Sequence, residues 1–154
     1  MFDLSSPFNG GAQAGFTSPT YDYVEDAAPD SNGEQVAIDT IGGTQTGVTA
    51  HSVSSPFTIS VFRPKTFKSL SPVNPVTGQL QSVPRNVYKV ITRKGVTPLS
   101  GQSPVIMLVE TLIHVPAGAD SADPANVLAA LSAHIGALSD QSSGLGDVAQ
   151  TGVL

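Results

Sequence analysis

The chain has no cysteine and no tryptophan in 154 residues, and outside the stretch 63–94 it has no lysine or arginine. Without cysteine, no disulfide staples the fold and thiolate chemistry is excluded, an absence that fits a reducing compartment. There is no run of eighteen apolar residues that would mark a membrane span. The longest apolar stretch, Val105–Val115, is interrupted by Glu110 and His114. The start of the chain shows neither the basic region nor the apolar core of a signal peptide. A soluble protein made in the cytoplasm, with no membrane partner, is the expectation. Charge is scarce as well: 12% of residues are charged, against about 25% in ordinary soluble domains. With 40% hydrophobic residues, so little charge points to a surface destined for other chains. A loop-rich monomer with a polar, uncharged skin is the alternative.

Catalytic signatures are missing too. There is no G-x-S-x-G elbow, no glycine-rich phosphate loop beside a helix and no pair of carboxylates at glycosidase-like positions. His51, His114 and His134 have no metal-ligand spacing between them. No enzyme, metal, cofactor or small-molecule substrate is expected. Glu110 is the one carboxylate in an apolar strand. It is either a catalytic acid or, the favoured reading, a residue facing a polar interface or a partner's hydroxyl.

What is present is concentrated positive charge. Arg63, Lys65, Lys68, Arg85, Lys89, Arg93 and Lys94 fall within thirty-two residues that hold no Asp or Glu. Seven acids precede the block and five follow it, so a net charge of −5 hides a middle of +7. A one-signed local field of this kind attracts polyanions. A solvated patch balanced by acidic neighbours is the plainer reading.

The length suits one domain. Residues 1–33 are rich in Gly, Ser, Pro and Asp, with Phe2, Phe8, Phe16, Tyr21 and Tyr23 scattered singly. No period lasts, so they read as an arm that packs on a surface and is dispensable for folding, ahead of a domain over 34–154. From Glu34 the pattern is β. Gln35–Ile41 and Gly47–Val53 look like strands joined by a Gly42-Gly43-Thr44 hairpin turn. Pro56–Arg63 is a third strand. Residues 64–84 are loop, with an edge strand around Thr66–Leu70. Arg85–Lys94 is a strand, Gly95–Ser103 a loop, and Pro104–Val115 the longest strand.

At Asp123-Pro124 an N-cap acceptor precedes a proline at the first helical position. Val127, Leu128, Leu131, Ile135 and Leu138 then recur at helical spacing. Ser142-Ser143-Gly144 breaks the helix, and a short second one follows over Leu145–Gln150. Strands first and helices last make an α+β fold on an antiparallel sheet of about five strands. One apolar stripe covers only part of one sheet face, so a partner's helix covers the rest and the folding unit is a dimer.

Alternation along a strand puts Arg85, Lys89 and Arg93 on one face, with Val87 and Ile91 between them. Arg63 and Lys65 share a face with Ile59 and Val61. If the two strands are neighbours, five cations converge on one surface, with Asn86, Tyr88, Val90 and Thr92 behind it and Val90 toward the helix. Such a face suits RNA: charge for the backbone, and Thr, Tyr and apolar side chains for unstacked bases. Three alternating bases also mark the exposed face of any half-buried strand.

The run Asn86–Val96, the long strand ending Ile113-His114-Val115-Pro116, the segment Ala117–Asp123, the helix 124–138 and the tail Gly152-Val153-Leu154 together resemble the coat proteins of single-stranded RNA bacteriophages, the levivirus group. The resemblance implies an interlocked homodimer in which each subunit's helices, with the stripe Val127, Leu128, Leu131, Ile135 and Leu138, lie over the partner's sheet. It implies an icosahedral, T=3 shell in the virion, assembled in the bacterial cytoplasm. The inner sheet face would bind genomic RNA through Arg63, Lys65, Arg85, Lys89 and Arg93, and an RNA hairpin in translational repression. The loop with Gly95, Pro98 and Gly101 would gather around symmetry axes. Three features depart from the family: the long start, the proline-rich connection 64–84, and Leu108 and Glu110 where the family places a stacking aromatic and an Asn. A dimeric RNA-binding regulator without a shell, and a pilus- or adhesin-like subunit, are the competing classes.

Overall fold

A computed structural model describes residues 3–154; Met1 and Phe2, one of the aromatics singled out above, lie outside the described residues. Six strands follow one another in a single antiparallel sheet: β1 (Phe8–Asn9), β2 (Thr17–Asp26), β3 (Gly33–Thr44), β4 (Phe57–Phe62), β5 (Arg85–Val96) and β6 (Val105–Pro116). Three helices end the chain: α1 (Ala119–Ala122), α2 (Pro124–Asp140) and α3 (Ser142–Thr151). The expected α+β class is the observed one, with six strands in place of about five. The pair β5–β6 is longest because β-branched and aromatic residues are densest there; it zips from Arg85 opposite Pro116 to Val96 opposite Val105 without a bulge.

The sheet extends back across the boundary expected at residue 33. β2 pairs along β3 from Thr17 opposite Thr44 to Asp26 opposite Gln35, with register shifts at 17/20 and 22/23. Those shifts, and Pro19 within the strand, erase the two-residue alternation that betrays a strand. The scattered aromatics join here: Phe8 and Tyr21 lie 5.5 Å apart and Tyr21 meets Phe57 edge-on at 5.7 Å. Burial pushes the Tyr21 phenol above its ordinary range. Deleting residues 1–33 therefore strips β3 of its partner and uncovers the long edge beside Ile38, which is fully buried. The expected outcome is loss of soluble protein, checked by expression and circular dichroism; a soluble, folded truncation would count against it.

Gly42-Gly43-Thr44 is no hairpin turn but the end of β3. Gly42 pairs with Thr20, and a side chain on Gly43 (φ 71°) would run into the Ser18 carbonyl. The glycines admit the bulged β2. Residues 47–53 consequently form loop, tied to the sheet by the His51 N–H donating to the Ile38 carbonyl at 2.7 Å. The loop 64–84 has no strand at 66–70. The Asn86 side chain holds it there, accepting from the Lys68 N–H at 2.8 Å and donating to the Lys68 carbonyl at 3.1 Å. A bridge between Val73 and Leu80 closes a small turn further on. Gly95, expected in a loop, sits inside β5 opposite Ile106. A Cβ there would lie 2.8 Å from the Ser55 Cα, so glycine lets the 51–56 segment press against the strand.

α2 begins where expected, with proline in its first turn. The Asp123 carboxylate accepts from the Asn126 side-chain amide at 2.7 and 3.0 Å rather than from a backbone N–H. Ser142-Ser143-Gly144 opens α3 instead of breaking a helix; the break is the single residue Gln141, and α3 runs ten residues. Neither α2 nor α3 contains a buried residue. Among the described residues, the buried apolar side chains are Pro19, Ala37, Ile38, Ile91 and Ala117, a very small core for a chain that should bury about two-thirds of its unfolded surface.

Candidate nucleic-acid interface

The register defines the two sheet faces. Lys89 stands between Phe62 and Leu112, Ile91 between Ser60 and Glu110, and Arg93 between Thr58 and Leu108. Cross-strand partners share a face, so Arg85, Val87, Lys89, Ile91 and Arg93 belong with Thr58, Ser60 and Phe62 and with Leu108, Glu110 and Leu112. The opposite face carries Asn86, Tyr88, Val90 and Thr92. Ile59 is opposite Thr92 and Val61 opposite Val90, so the β4 row expected beside the β5 cations is on the far side, one residue out of phase.

Arg63 and Lys65 nevertheless reach the β5 cations by another route. β4 ends at Phe62, and Pro64 turns the chain out of the strand. The Arg63 N–H donates to the Asn32 carbonyl at 3.0 Å, which fixes the exit. Arg63, Lys65, Lys89 and Arg93 then line one cleft of about 370 Å³ together with Phe62, Val87 and Ile91. Four of the five expected cations come together there. Arg85 is exposed on the same face of β5, at its first residue, outside the cleft.

The guanidinium of Arg93 is held on the sheet: its Nη1 donates to Ser60 Oγ at 2.9 Å, and that hydroxyl donates to Gln35 Oε1 at 2.6 Å. Lys65 Nζ is 2.8 Å from Asp30 Oδ1, the one salt bridge among the described residues. Lys94 is spent elsewhere, on the far face. It sits 5.0 Å from the centre of the Phe57 ring and donates to the Thr49 carbonyl and hydroxyl at 2.9 and 3.0 Å. Its partial burial lowers its pKa from the ordinary lysine value. Glu110 is exposed on the cation face, opposite Ile91 and diagonal to Lys89 and Arg93. Its placement among the cations follows only from the β5–β6 register. Among the described residues no cluster of three His, Cys, Asp or Glu is arranged to hold a metal, and no helix is long and apolar enough to cross a membrane.

β6 is an edge strand, and it is uncovered on both faces: Ile106, Leu108 and Leu112 on one, Val105, Met107 and Val109 on the other, all between 44% and 58% exposed. The α2 stripe is equally bare, with Leu128 65%, Ile135 63% and Leu138 40% exposed; Val127 and Leu131 are half-buried. Between α2 and β6 lies a cleft of about 460 Å³, lined by Thr111, Ile113 and Val115 and by Val127, Leu131 and His134. The loop after β5 spans 97–104, with Gly101 at φ 81° and Pro98 in its exposed part.

A sheet with one basic face, a bare apolar edge and helices whose apolar stripe stays largely exposed has the features of a structural subunit that associates with other copies. No family model and no curated protein matches the chain. Among solved structures, the virus-like particle of bacteriophage ESE020 is similar at 55% identity, with a TM-score of 0.97 and complete coverage of both chains. The virus-like particle of Beihai levi-like virus 32 is a far weaker match, at 16% identity and a TM-score of 0.46 over 87% of this chain and 88% of that one. The chain belongs to the coat proteins of levivirus-like single-stranded RNA bacteriophages. The long start and the connection 64–84 lie within the span shared with the first of these structures.

Proposed function

We propose that the chain forms an interlocked homodimer, that dimers close into an icosahedral shell of the virion, and that the cation face packages single-stranded RNA inside it. The observation that carries the reading is the asymmetry of one sheet: charge on the face with the cleft, and exposed apolar residues along β6 and α2. Leaving these apolar groups in water forfeits about 25 cal/mol for each Å² that a partner would cover. With so few buried apolar residues in the protomer, the partner's helices supply the missing core. The virus-like particle formed by the similar phage protein supports closure into a shell. The loop with Pro98 and Gly101 is exposed at the sheet's end, where copies can meet around symmetry axes, while Gly95 anchors its root. General packaging of RNA suits these side chains better than recognition of one hairpin, since Leu108 and Glu110 offer neither a stacking ring nor an amide donor.

Expression of the full chain, followed by sizing, negative-stain microscopy and nucleic-acid extraction, tests the proposal. Closed particles containing RNA are expected. A soluble dimer that binds RNA without closing would make it a regulator, and a filament would make it a pilus-like subunit. The absence of tryptophan lowers protein absorbance at 280 nm and makes the 260/280 ratio a sensitive report of RNA.

A further inference from the structure

The cleft that gathers four cations also contains one carboxylate, and the fold holds that carboxylate in place. Asp30 lies on the turn between β2 and β3 and lines the cleft with Arg63, Lys65, Lys89 and Arg93. Its carbonyl accepts from the Gly33 N–H at 3.1 Å. Two residues on, Asn32 is tied to Arg63 twice, its carbonyl accepting from the Arg63 N–H and its side-chain amide donating to the Arg63 carbonyl. The acid is thus mounted on backbone laced to the strand exit, whereas its partner Lys65 reaches it on a long, flexible stem. The pair is made at 2.8 Å but stays open to solvent, with the two side chains 66% and 50% exposed.

We infer that this cleft is a phosphate site for the packaged RNA, and that Asp30 is a built-in competitor which a backbone phosphate displaces from Lys65. The inference rests on the RNA-packaging reading given above. An exposed ion pair is weak because water and salt screen it. A phosphate entering the cleft meets Arg63, Lys65, Lys89 and Arg93 together and accepts charge-assisted hydrogen bonds from more than one of them. Lys65 therefore swings from carboxylate to phosphate, while Arg93, anchored on Ser60, keeps its position. Without RNA the carboxylate keeps Lys65 occupied and lowers the local positive potential, which weakens capture of stray polyanions. With RNA the carboxylate still competes for Lys65, so that contact stays weak and reversible while the genome is being arranged.

The test is a double-mutant cycle on the full-length protein, unassembled at low concentration, binding a labelled oligouridylate over a salt series. Particle formation at high concentration serves as the check on folding. Asp30→Asn should tighten binding by about two- to five-fold, the range open to a weak exposed pair, and Lys65→Ser should weaken it. In the Lys65→Ser background, Asp30→Asn should have almost no effect. Equal tightening with and without Lys65 would reduce Asp30 to a through-space charge and overturn the competitor role. The same conclusion follows if Lys65→Ser weakens binding but Asp30→Asn changes nothing. A different pattern reports on the underlying reading: if Lys65→Ser and the combined Arg85, Lys89 and Arg93 variant all bind like the parent, the cation face does not bind RNA and both ideas fall together.

Discussion

Replacing Ile135 with Asp abolishes the dimer and with it every particle: this is the expected result with the largest effect. The position makes the experiment decisive because Ile135 is 63% exposed in the protomer. A carboxylate on an exposed helical position normally changes stability by no more than about 0.5 kcal/mol. If a partner's sheet covers the stripe, the same substitution buries an unpaired charge twice per dimer, at a cost of several kcal/mol each time. Leu131→Asp should behave alike, although Leu131 is half-buried at the α2–β6 cleft and also disturbs its own protomer. Ala129→Asp, on the side of α2 away from the stripe, is the control and should assemble. Sizing and microscopy read the outcome. Normal particles from Ile135→Asp would mean that α2 stays in solvent and that the interlocked dimer is wrong.

Changing Arg85, Lys89 and Arg93 together to Ser should empty the particles of much of their RNA without preventing their formation. The three side chains sit on one face of β5, four residues apart, so their removal takes three positive charges from one surface. The slope of log K against log salt should flatten by about 2 for single-stranded RNA, and by up to about 3 for duplex-like sites. Lys68 and Lys94 should matter less per residue, since one lies in the loop beside Asn86 and the other points to Thr49 and Phe57 on the far face. Assembly should persist, because in the proposed dimer apolar burial along α2 and β6, not RNA, joins the subunits. Unchanged RNA content together with an unchanged salt slope would make the cation face a bystander.

Much of this architecture was legible in the residues. The β5 and β6 strands announced themselves by β-branched density, and α2 by Asp123-Pro124 followed by a period of 3.6, because in each case local propensity and tertiary role agree. Alternation alone placed Arg85, Lys89 and Arg93 on one face. The early strands were hidden for a physical reason: β2 carries a proline and two register shifts, and a bulge destroys the periodicity on which strand recognition depends. Gly42 and Gly43 looked like a turn because glycine's sequence signal does not distinguish a reversal from a close approach of two strands.

The sequence alone determined the sign and position of the charge, the α+β class and the apolar stripe of α2, since these depend on neighbours along the chain. The cleft belongs to the tertiary structure. Register placed Ile59 and Val61 behind the cations, and the departure of the chain after Phe62 brought Arg63 and Lys65 back among them. Asp30 entered from thirty-five residues before Lys65, through hydrogen bonds between Asn32 and Arg63, and Glu110 came to face Ile91 through the β5–β6 register. Such pairings link residues far apart in sequence, and what decides them is which backbone groups find hydrogen-bond partners across the sheet, a condition that no local pattern of side chains encodes.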